Sequence, residues 1–318
     1  MGLGALVIDV VLPTYNGAAY LRQQVASIDQ QTLRPLRLII RDDGSTDGSY
    51  ELLASLKQDY GDWLELLPTD GNLGCSANVN RLLEITRSPY VALADQDDLW
   101  LPGKLEASLV LLKQLEQIHG VEMPLMVHSD LSLIDGHDLP LGCSYLQRQR
   151  LDPSRIGVDD LVLTNVVTGC TVILNRALLE TALPIPAEAL MHDWWLALVA
   201  SATGLIGFAP EPSVLYRQHG SNVLGARGTG LPVLMGRLLR PRGRGPCALF
   251  QAVVRQASLL QRRFNLPELL LVRAMEEGRF LRCWRLCSQP ARRRMLRKHG
   301  PLRTWALWLV FCLARPKP

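Results

Sequence analysis

The stretch that decides the fold is VALADQDDLW at residues 91–100, where an apolar run leads directly into three carboxylates. These carboxylates belong to Asp95, Asp97 and Asp98. Carboxylates this close repel one another, and the pKa of each rises unless a cation neutralises the cluster. The stretch therefore predicts a buried strand that ends either in open water or beside a positively charged ligand.

Other apolar runs also end in polar loops. We predict strands at 7–12, 36–40, 63–67 and 90–94, with helices at about 17–31, 47–60, 74–86 and 102–117. This alternation predicts an α/β fold with a mostly parallel central sheet and helices on both faces. Ligands bind at the carboxyl ends of the strands in open α/β sheets, so the polar loops should form a binding edge.

The later part of the chain has a less regular pattern. We predict further strands of the same domain at 125–128, 171–174 and 213–216, and a helix at 192–203. Residues 220–231 are rich in glycine and predict a flexible link. We therefore expect one domain over 1–225 and a separate extension over 226–318.

Composition limits the classes of protein to consider. The chain has 318 residues, 48% hydrophobic and 20% charged, which is typical of a globular protein with a sizeable core. Its seven cysteines are scattered and form no C-x-x-C, which favours reduced thiols over a disulfide framework or a zinc site. The N-terminus shows no signal-peptide pattern, so we expect a cytoplasmic protein.

The C-terminal extension is strongly basic. From Pro232 onward there are 19 Lys and Arg but only 3 Asp and Glu. The apolar run at 304–314 is too short to span a bilayer, and its basic surroundings favour a mainly helical, amphipathic segment lying on an anionic membrane surface. A solvated basic face packed on the body and a nucleic-acid-binding face are the alternatives. We expect peripheral association with the inner face of the plasma membrane and no nucleic-acid partner.

The Asp95–Asp97 pair is the first candidate site. An Asp-x-Asp turn after a strand presents hard oxygen donors, which suit Mg²⁺ or Mn²⁺ with the remaining ligands from water and substrate phosphates. The alternative is a solvated loop in which Asp98 caps the next helix or the local turn. The chain contains neither GxGxxG nor GxxxxGK[ST], so phosphate would be bound through a metal.

RDDGSTDGS at 41–49 is the second candidate site. Asp42 and Asp43 follow a buried strand, where carboxylates can accept hydrogen bonds from a ribose hydroxyl or a base N–H. An ordinary turn followed by a helix cap explains residues 45–49 but explains the adjacent aspartates less well.

Two further stretches carry candidate residues. In MHDWWLALVA at 191–200, Asp193 opens an apolar helix, where it is either a cap or a base whose pKa is raised by desolvation. Trp194 is either a sugar platform or a core residue, and Trp195 is predicted to be core. In LYRQHGSN at 215–222, His219 is either structural or, if the fold brings it to the acidic loop, a ligand for Mn²⁺.

Together these stretches resemble a known family. VVLPTYNG, LIIRDDGSTDGS, NLGCSANVNRLLE and LADQDDLWLPGKLE are similar to motifs of the family 2 inverting glycosyltransferases, which have the Rossmann-like GT-A fold. TGCTVILNRALLE, HDWWLALVA and LYRQHGSN resemble its rhamnosyltransferase-like subset. The resemblance covers residues 6 to about 225 and implies a nucleotide-sugar transferase domain.

The resemblance implies a set of residues that bind the donor. Pro13 and Tyr15 would line the nucleotide pocket, with Tyr15 stacked on the base. Asp43, together with Asp42, would pair with the base. Asn78 would lie near the donor.

It also implies roles for the acidic residues. Asp95 would approach the ribose, and Asp97 would bind Mg²⁺ or Mn²⁺ across the diphosphate, with His219 completing the metal site. Asp193 would deprotonate the acceptor hydroxyl. Many family members have Glu before this aspartate, whereas this chain has His192.

The expected function is therefore metal-dependent transfer of a sugar with inversion, in cell-surface polysaccharide synthesis. The expected donor is a nucleotide-diphosphate sugar such as dTDP-rhamnose, and the expected acceptor is a saccharide or a lipid-linked saccharide. A sugar nucleotidyltransferase is one alternative, although PTYNG lacks the basic segment that would bind phosphate there. A non-catalytic, membrane-docked binding protein of the same fold is the other.

Overall fold

The computed structural model describes residues 8–218, 246–269 and 272, which include eleven strands and nine α-helices. The strands are β1 Ile8–Thr14, β2 Arg37–Asp42, β3 Leu64–Leu67, β4 Tyr90–Leu93, β5 Leu99–Trp100, β6 Leu125–Ser129, β7 Ser132–Ile134, β8 Pro140–Ser144, β9 Ile173–Asn175, β10 Leu205–Ala209 and β11 Val214–Arg217. The helices are α1 Ala18–Asp29, α2 Ser49–Tyr60, α3 Cys75–Glu84, α4 Lys104–His119, α5 Tyr145–Gln149, α6 Val158–Leu163, α7 Arg176–Ala182, α8 His192–Thr203 and α9 Pro246–Arg263.

The described residues group into two units. The first unit holds residues 8–145, 167–187 and 191–218, and the second holds 146–166, 188–190 and the described residues from 246 onward. The boundary expected near residue 225 lies outside the described residues, so the division into 1–225 and 226–318 stays a prediction.

A seven-stranded sheet forms the centre of the first unit. Its strand order is β10-β6-β9-β4-β1-β2-β3, and β9 runs antiparallel to both of its neighbours. The other pairings are parallel, with Val10 of β1 opposite Leu38 of β2 and Ala92 of β4. The predicted α/β fold is therefore confirmed, with a mixed sheet in which parallel pairs predominate.

The central strands are apolar because both of their faces are covered. Val10 and Val11 of β1 are fully buried, as are Leu38, Ile39 and Ile40 of β2. Helix α3 packs on β1, and α4 packs on β6 and β9. Strands that are buried on both faces have continuous rather than alternating apolar sequences, which explains why these runs were recognisable in the sequence.

A smaller sheet lies beside the acidic loop. Its order is β5-β11-β7-β8, with β11 antiparallel to β5 and parallel to β7. Strand β5 begins immediately after Asp98, and β11 ends at Arg217. This second sheet therefore brings Arg217, distant in sequence, against the end of the acidic loop.

The predicted strands and helices agree with the structure in the first half of the chain. The strand runs at 7–12, 36–40, 63–67 and 90–94 correspond to β1 to β4, and the helix expected at 192–203 is α8. Strands β5, β7, β8 and β10 were not predicted. Strands β5 and β7 have only two and three residues, and β8 is largely exposed, so these three strands show little hydrophobic periodicity.

The second unit contains residues 146–166, which include α6, together with residues 188–190 and α9. Helix α9 buries Val253, Ala257 and Leu260, which lie on one helical face, and it packs on α6. The buried Gln256 side chain accepts a hydrogen bond from the backbone N–H of Leu190 at 2.8 Å. The residues expected to bind the membrane, including 304–314, lie outside the described residues. Within the described part of the chain, no helix combines the length and apolarity needed to cross a bilayer.

Candidate active site

The acidic loop, residues 95–98, follows β4 at the carboxyl edge of the central sheet. Asp95 and Asp97 are partly exposed, whereas Asp98 is fully buried. The loop is anchored from α1, because the Gln24 side-chain amide donates to the backbone carbonyl of Asp95 at 2.7 Å. Of the three aspartates, Asp95 and Asp97 are therefore reachable from solvent, whereas Asp98 lies in the interior.

Asp98 is surrounded by groups that hold the loop from beneath. Its Oδ1 accepts from the backbone N–H of Arg217 at 3.3 Å, and the Arg217 Nε donates to the backbone carbonyl of Asp97 at 3.0 Å. The buried Lys104 ammonium is attracted to the Asp98 carboxylate and lies 3.8 Å from the centre of the Trp100 ring. Asp98 is thus an internal anchor and does not cap α4, whose N-cap is Gly103.

The turn at Gly169–Thr171 connects the acidic loop with Asp193. The backbone N–H of Gly169 donates to Oδ2 of Asp193 at 3.1 Å. The next residue, Cys170, is buried, and its Sγ lies within 4.8 Å of carboxylate oxygens of Asp95 and Asp98. Two adjacent residues of one turn therefore contact Asp193 and the acidic loop, which brings both to the same edge of the sheet.

Asp193 lies in the first turn of α8, whose N-cap is Met191. Its Oδ1 accepts from the backbone N–H of Trp194 at 2.6 Å, and the side chain is 9% exposed. A Cβ at Gly169 would lie 3.2 Å from Nε2 of His192 and 3.4 Å from Cβ of Asp193. Glycine at this position therefore lets the turn approach Asp193 closely enough to donate its N–H.

The electrostatics reflect the crowding of negative charge. Burial raises the pKa of Asp95 to about 7, and repulsion from the Asp97 and Asp193 carboxylates adds to this rise. Burial, with repulsion from Asp95 and Asp97, holds the pKa of Asp98 well above its usual value. Burial also raises the pKa of Asp193, although attraction to His192 and three backbone N–H groups partly oppose the rise. A bound cation would relieve this repulsion.

Pro13 lies near the end of β1, and Tyr15 opens the loop that follows it. Pro13 is the partly exposed penultimate residue of β1, and Tyr15 is 50% exposed. The backbone N–H of Tyr15 donates to Oε1 of Gln96 at 2.8 Å, and Nε2 of Gln96 donates to the Tyr15 carbonyl at 3.0 Å. The aromatic ring is therefore free to stack on a flat ligand while its backbone is tied to the acidic loop.

The loop after β2 uses both of its aspartates internally. Oδ2 of Asp42 accepts from the backbone N–H groups of Gly44 and Ser45 at 3.0 and 2.8 Å, which makes a local turn. Asp43 accepts from the N–H groups of Leu73 and Gly74 at 2.7 and 2.8 Å. Asp43 thereby fixes the start of α3, and both carboxylates have backbone partners within the protein.

A buried arginine organises the same region. Arg41 donates to Oδ1 of Asp43 at 2.8 Å, to Oδ1 of Asn78 at 3.1 Å and to Oδ1 of Asp70 at 2.5 Å. Asn78 is buried on α3, and its amide donates back to the Arg41 carbonyl at 3.2 Å. A carboxylate can accept about four hydrogen bonds, and Asp43 already accepts three. One acceptor position therefore remains for an N–H group of a nucleotide base.

The aromatic residues of α8 have different environments. Trp195 is fully buried and its indole N–H donates to the Ala182 carbonyl at 3.0 Å, so its predicted core role is confirmed. Trp194 is partly exposed next to Asp193. His192 is 5% exposed, and its Nδ1 lies 3.9 Å from Sγ of the exposed Cys75. His219 lies outside the described residues.

The residues fit a divalent metal. An ion arriving from solvent can reach Asp95 and Asp97, whose hard carboxylate oxygens suit Mg²⁺ or Mn²⁺. The third carboxylate and the nearby thiol of Cys170 are buried behind them. Burial raises the pKa of Asp95, and repulsion from the Asp97 and Asp193 carboxylates, which a cation would offset, adds to the rise.

Sequence reasoning missed the residues that support the site. Arg41, Gln96, Gly169 and Arg217 act through contacts between segments far apart in sequence, whereas Lys104 acts on the nearby Asp98 and Trp100. The one available signal was that Gln96 lies between two aspartates. That position does not indicate the hydrogen bonds that Gln96 makes to the Tyr15 backbone.

Comparison with known proteins identifies a family that resembles this part of the chain. Residues 9–122, which include the loops after β1, β2 and β4, match the model of Glycosyl transferase family 2. This segment, about a third of the chain, is therefore similar to a family 2 glycosyltransferase domain. The chain is a transferase, and the match supports the resemblance of its first motifs to family 2.

Similarity to known proteins extends beyond residues 9–122. The chain is 26% identical over 249 residues to an uncharacterized protein of Mycobacterium tuberculosis, covering 78% of this chain and 68% of that protein. It is 28% identical over 225 residues to an uncharacterized glycosyltransferase of Nostoc sp., covering 68% of this chain and 66% of that one.

Solved structures show the same fold. The chain resembles S. aureus TarS 1-349 in complex with UDP-GlcNAc, with a TM-score of 0.57 and 16% identity over 98% of this chain and 82% of that one. It also resembles the mannosyltransferase PcManGT from Pyrobaculum calidifontis in complex with GDP-Man and Mn²⁺, with a TM-score of 0.52 and 16% identity over 96% and 85% of the two chains. The expected GT-A fold is confirmed.

Proposed function

We propose that the chain transfers a sugar from a nucleotide-diphosphate donor to an acceptor hydroxyl, with Asp193 as the general base and with inversion at the anomeric carbon. The observation that carries this proposal is the Gly169–Cys170 connection, because adjacent residues contact Asp193 and the carboxylates of the acidic loop. A base and a metal-binding loop at one edge of the sheet are what a single in-line displacement needs.

Asp193 has the environment of a usable base. Burial raises its pKa above the usual value, while hydrogen bonds from the backbone N–H groups of Gly169 and Trp194 hold the carboxylate in one orientation. Both donors are N–H groups, which stabilise the charged form that accepts a proton. Asp193 would take the proton from the acceptor oxygen as that oxygen attacks the anomeric carbon and the bond to the nucleotide diphosphate breaks.

Asp95 and Asp97 would hold Mg²⁺ or Mn²⁺, with His219 as a further ligand from outside the described residues. When bound, the ion would supply positive charge to the diphosphate leaving group, which gains negative charge as the bond to the sugar breaks. Tyr15 would stack on the base, and Pro13, Asp42, Asp43 and Asn78 would complete the nucleotide pocket.

The donor class rests on the motifs and on the neighbouring structures. The neighbours TarS and PcManGT were solved with UDP-GlcNAc and with GDP-Man and Mn²⁺. The motifs after residue 167 resemble the rhamnosyltransferase-like subset, so we propose dTDP-rhamnose as the first donor to try. Trp194, partly exposed beside Asp193, would provide an apolar face for the acceptor sugar.

The acceptor and the setting follow from the basic extension. Its 19 basic residues from Pro232 onward would attract an anionic membrane surface, where a lipid-linked saccharide is presented. The proposed process is cell-surface polysaccharide synthesis at the inner face of the plasma membrane.

The rate of sugar transfer by the Asp193→Asn variant tests the proposal. Wild-type protein incubated with Mn²⁺ and dTDP-, UDP- and GDP-sugars should release nucleotide from one donor in the presence of its acceptor. Asp193→Asn should lower transfer by about 10³-fold or more, because it removes the base, while donor affinity changes by less than about threefold. Asp62→Asn, an exposed acid before β3 at the opposite edge of the sheet, makes the same charge change and should retain wild-type turnover. Equal loss of donor binding and transfer in Asp193→Asn would indicate a structural role instead.

A further inference from the structure

The amide of Gln96 makes two hydrogen bonds to the backbone of a single residue, Tyr15. Oε1 accepts from the Tyr15 N–H at 2.8 Å, and Nε2 donates to the Tyr15 carbonyl at 3.0 Å. A primary amide is one of the few side-chain groups that can accept from and donate to the same peptide in this way. The contact joins the loop after β1 to the acidic loop across 81 residues of sequence.

Gly17 leaves room for this contact. A Cβ at Gly17 would lie 2.4 Å from Oε1 and 2.5 Å from Cδ of Gln96, closer than real side-chain carbons approach. Gly17 has φ −115°, which any residue adopts, so close approach of the Gln96 amide and not backbone conformation makes glycine necessary here.

Both joined loops are otherwise held in place. Gln24 anchors the Asp95 carbonyl at 2.7 Å, and the Asn16 N–H donates to Oγ of Ser45 at 2.8 Å. The Gln96 amide is therefore a link between two anchored loops, and its side chain is itself partly exposed at the site.

We infer that Gln96 is a positioning residue that fixes the separation between the Tyr15 ring and the Asp95 and Asp97 carboxylates. The inference rests on the proposed function, in which the ring holds the base of a nucleotide and the carboxylates hold the metal on its diphosphate. A nucleotide that contacts both the Tyr15 ring and the metal on the acidic loop needs them at a fixed separation. The Gln96 link holds that separation before binding, so less conformational entropy is lost when the nucleotide binds. A nucleotide bound without metal engages the Tyr15 end alone and gains nothing from the link.

The experiment is calorimetric titration with UDP, GDP and dTDP, with and without Mn²⁺. In Gln96→Ala we expect affinity in the presence of Mn²⁺ to fall roughly tenfold, equivalent to about 1.4 kcal/mol, and metal-free affinity to stay within about twofold. Gly17→Ala should give the same result, because its methyl group displaces the amide. The double variant should be no weaker than either single variant, since both changes remove one link.

Matched controls separate the link from general damage. Gln58→Ala removes an exposed glutamine from α2, and Gly103→Ala adds a methyl group at another helix N-cap, with φ −88° and open space around it. Both should bind as the wild type does. Hydrogen exchange of the Tyr15 amide should accelerate in Gln96→Ala and in Gly17→Ala.

The outcomes distinguish the inference from the proposed function. Wild-type binding that Mn²⁺ enhances, together with the selective loss described, supports the inference. Equal affinities in wild type and Gln96→Ala, or equal losses with and without Mn²⁺, overturn it and leave the proposed function intact. Failure of the wild type to bind any of the three nucleotides overturns both.

Discussion

Acidification should destabilise the first unit through a histidine that takes no part in the reaction. His128 lies in β6 and is completely buried, and neither ring nitrogen has a hydrogen-bond partner among the described residues. Its ring lies 5.1 Å from the ring of Phe208, measured between centres. Burial lowers the pKa of His128 from 6.5 to about 4, since the apolar surroundings disfavour the charged imidazolium.

The size of the effect follows from linkage. The native state binds the proton less tightly than the unfolded state does, so the neutral side chain contributes fully above the unfolded pKa and progressively less as the pH falls toward 4. Each pKa unit corresponds to about 1.36 kcal/mol, so the difference between 6.5 and about 4 corresponds to roughly 3 kcal/mol. Between about pH 7.5 and about pH 4.5, most of this stability should be lost.

Urea unfolding of wild type and His128→Leu across this pH range tests the prediction. The carboxylates common to both proteins titrate equally, so their effect cancels in the difference between the two unfolding free energies. The cost of any cavity in His128→Leu shifts that difference by a constant. We expect the wild type to lose roughly 2–3 kcal/mol more than the variant on acidification. A difference that stays constant with pH would refute the assignment of His128 as a buried neutral group.

Substitutions at Gly204, Asp9 and Gly169 have specific expected outcomes, with Gly103→Ala as a control. Gly204→Ala should destabilise the protein by about 3 kcal/mol, because its Cβ would lie 1.8 Å from the Pro124 carbonyl oxygen. The control Gly103→Ala, whose Cβ enters open space, should cost less than about 1 kcal/mol. Urea unfolding of both variants compares the two costs. Asp9→Asn should cost about 2 kcal/mol at neutral pH, because it breaks a buried ion pair. Arginine and backbone N–H hydrogen bonds hold the pKa of Asp9 below its usual value despite burial, so the cost should shrink as the pH falls through that lowered value, and a constant cost would contradict the assignment. Gly169→Ala should reduce kcat about tenfold, because its Cβ would lie 3.2 Å from Nε2 of His192, which must then shift directly beside the predicted base Asp193. The unfolding free energy should change by less than about 1.5 kcal/mol, and an unchanged kcat would contradict that placement.

Local sequence patterns predicted the framework of the first unit. Strands β1, β2 and β4 contain apolar runs that are buried on both faces, and the parallel pairing brings the polar loops after them to one edge. The same reasoning placed the acidic loop at that edge. Short strands such as β5 and β7 escaped prediction because two or three residues carry no measurable periodicity.

The supporting contacts could not be predicted in the same way. Arg217 holds the acidic loop because β11 pairs beside β5, a contact across 120 residues of sequence that no local pattern encodes. Asp42 and Asp43 appeared to need a ligand when considered in sequence alone. The structure gives both of them backbone partners, and those of Asp43 come from residues 73 and 74.

Calorimetry with the Asp97→Asn variant tests most directly whether the acidic loop binds a metal together with the donor nucleotide. UDP, GDP and dTDP are titrated into wild type, Asp97→Asn and the exposed-acid control Asp62→Asn, each with and without Mn²⁺. We expect Mn²⁺ to strengthen binding of at least one nucleotide about tenfold or more in the wild type and the control, and to have no effect in Asp97→Asn. Binding that Mn²⁺ leaves unchanged in the wild type, or strengthens equally in Asp97→Asn, would contradict the claim that the acidic loop holds a metal on the donor diphosphate.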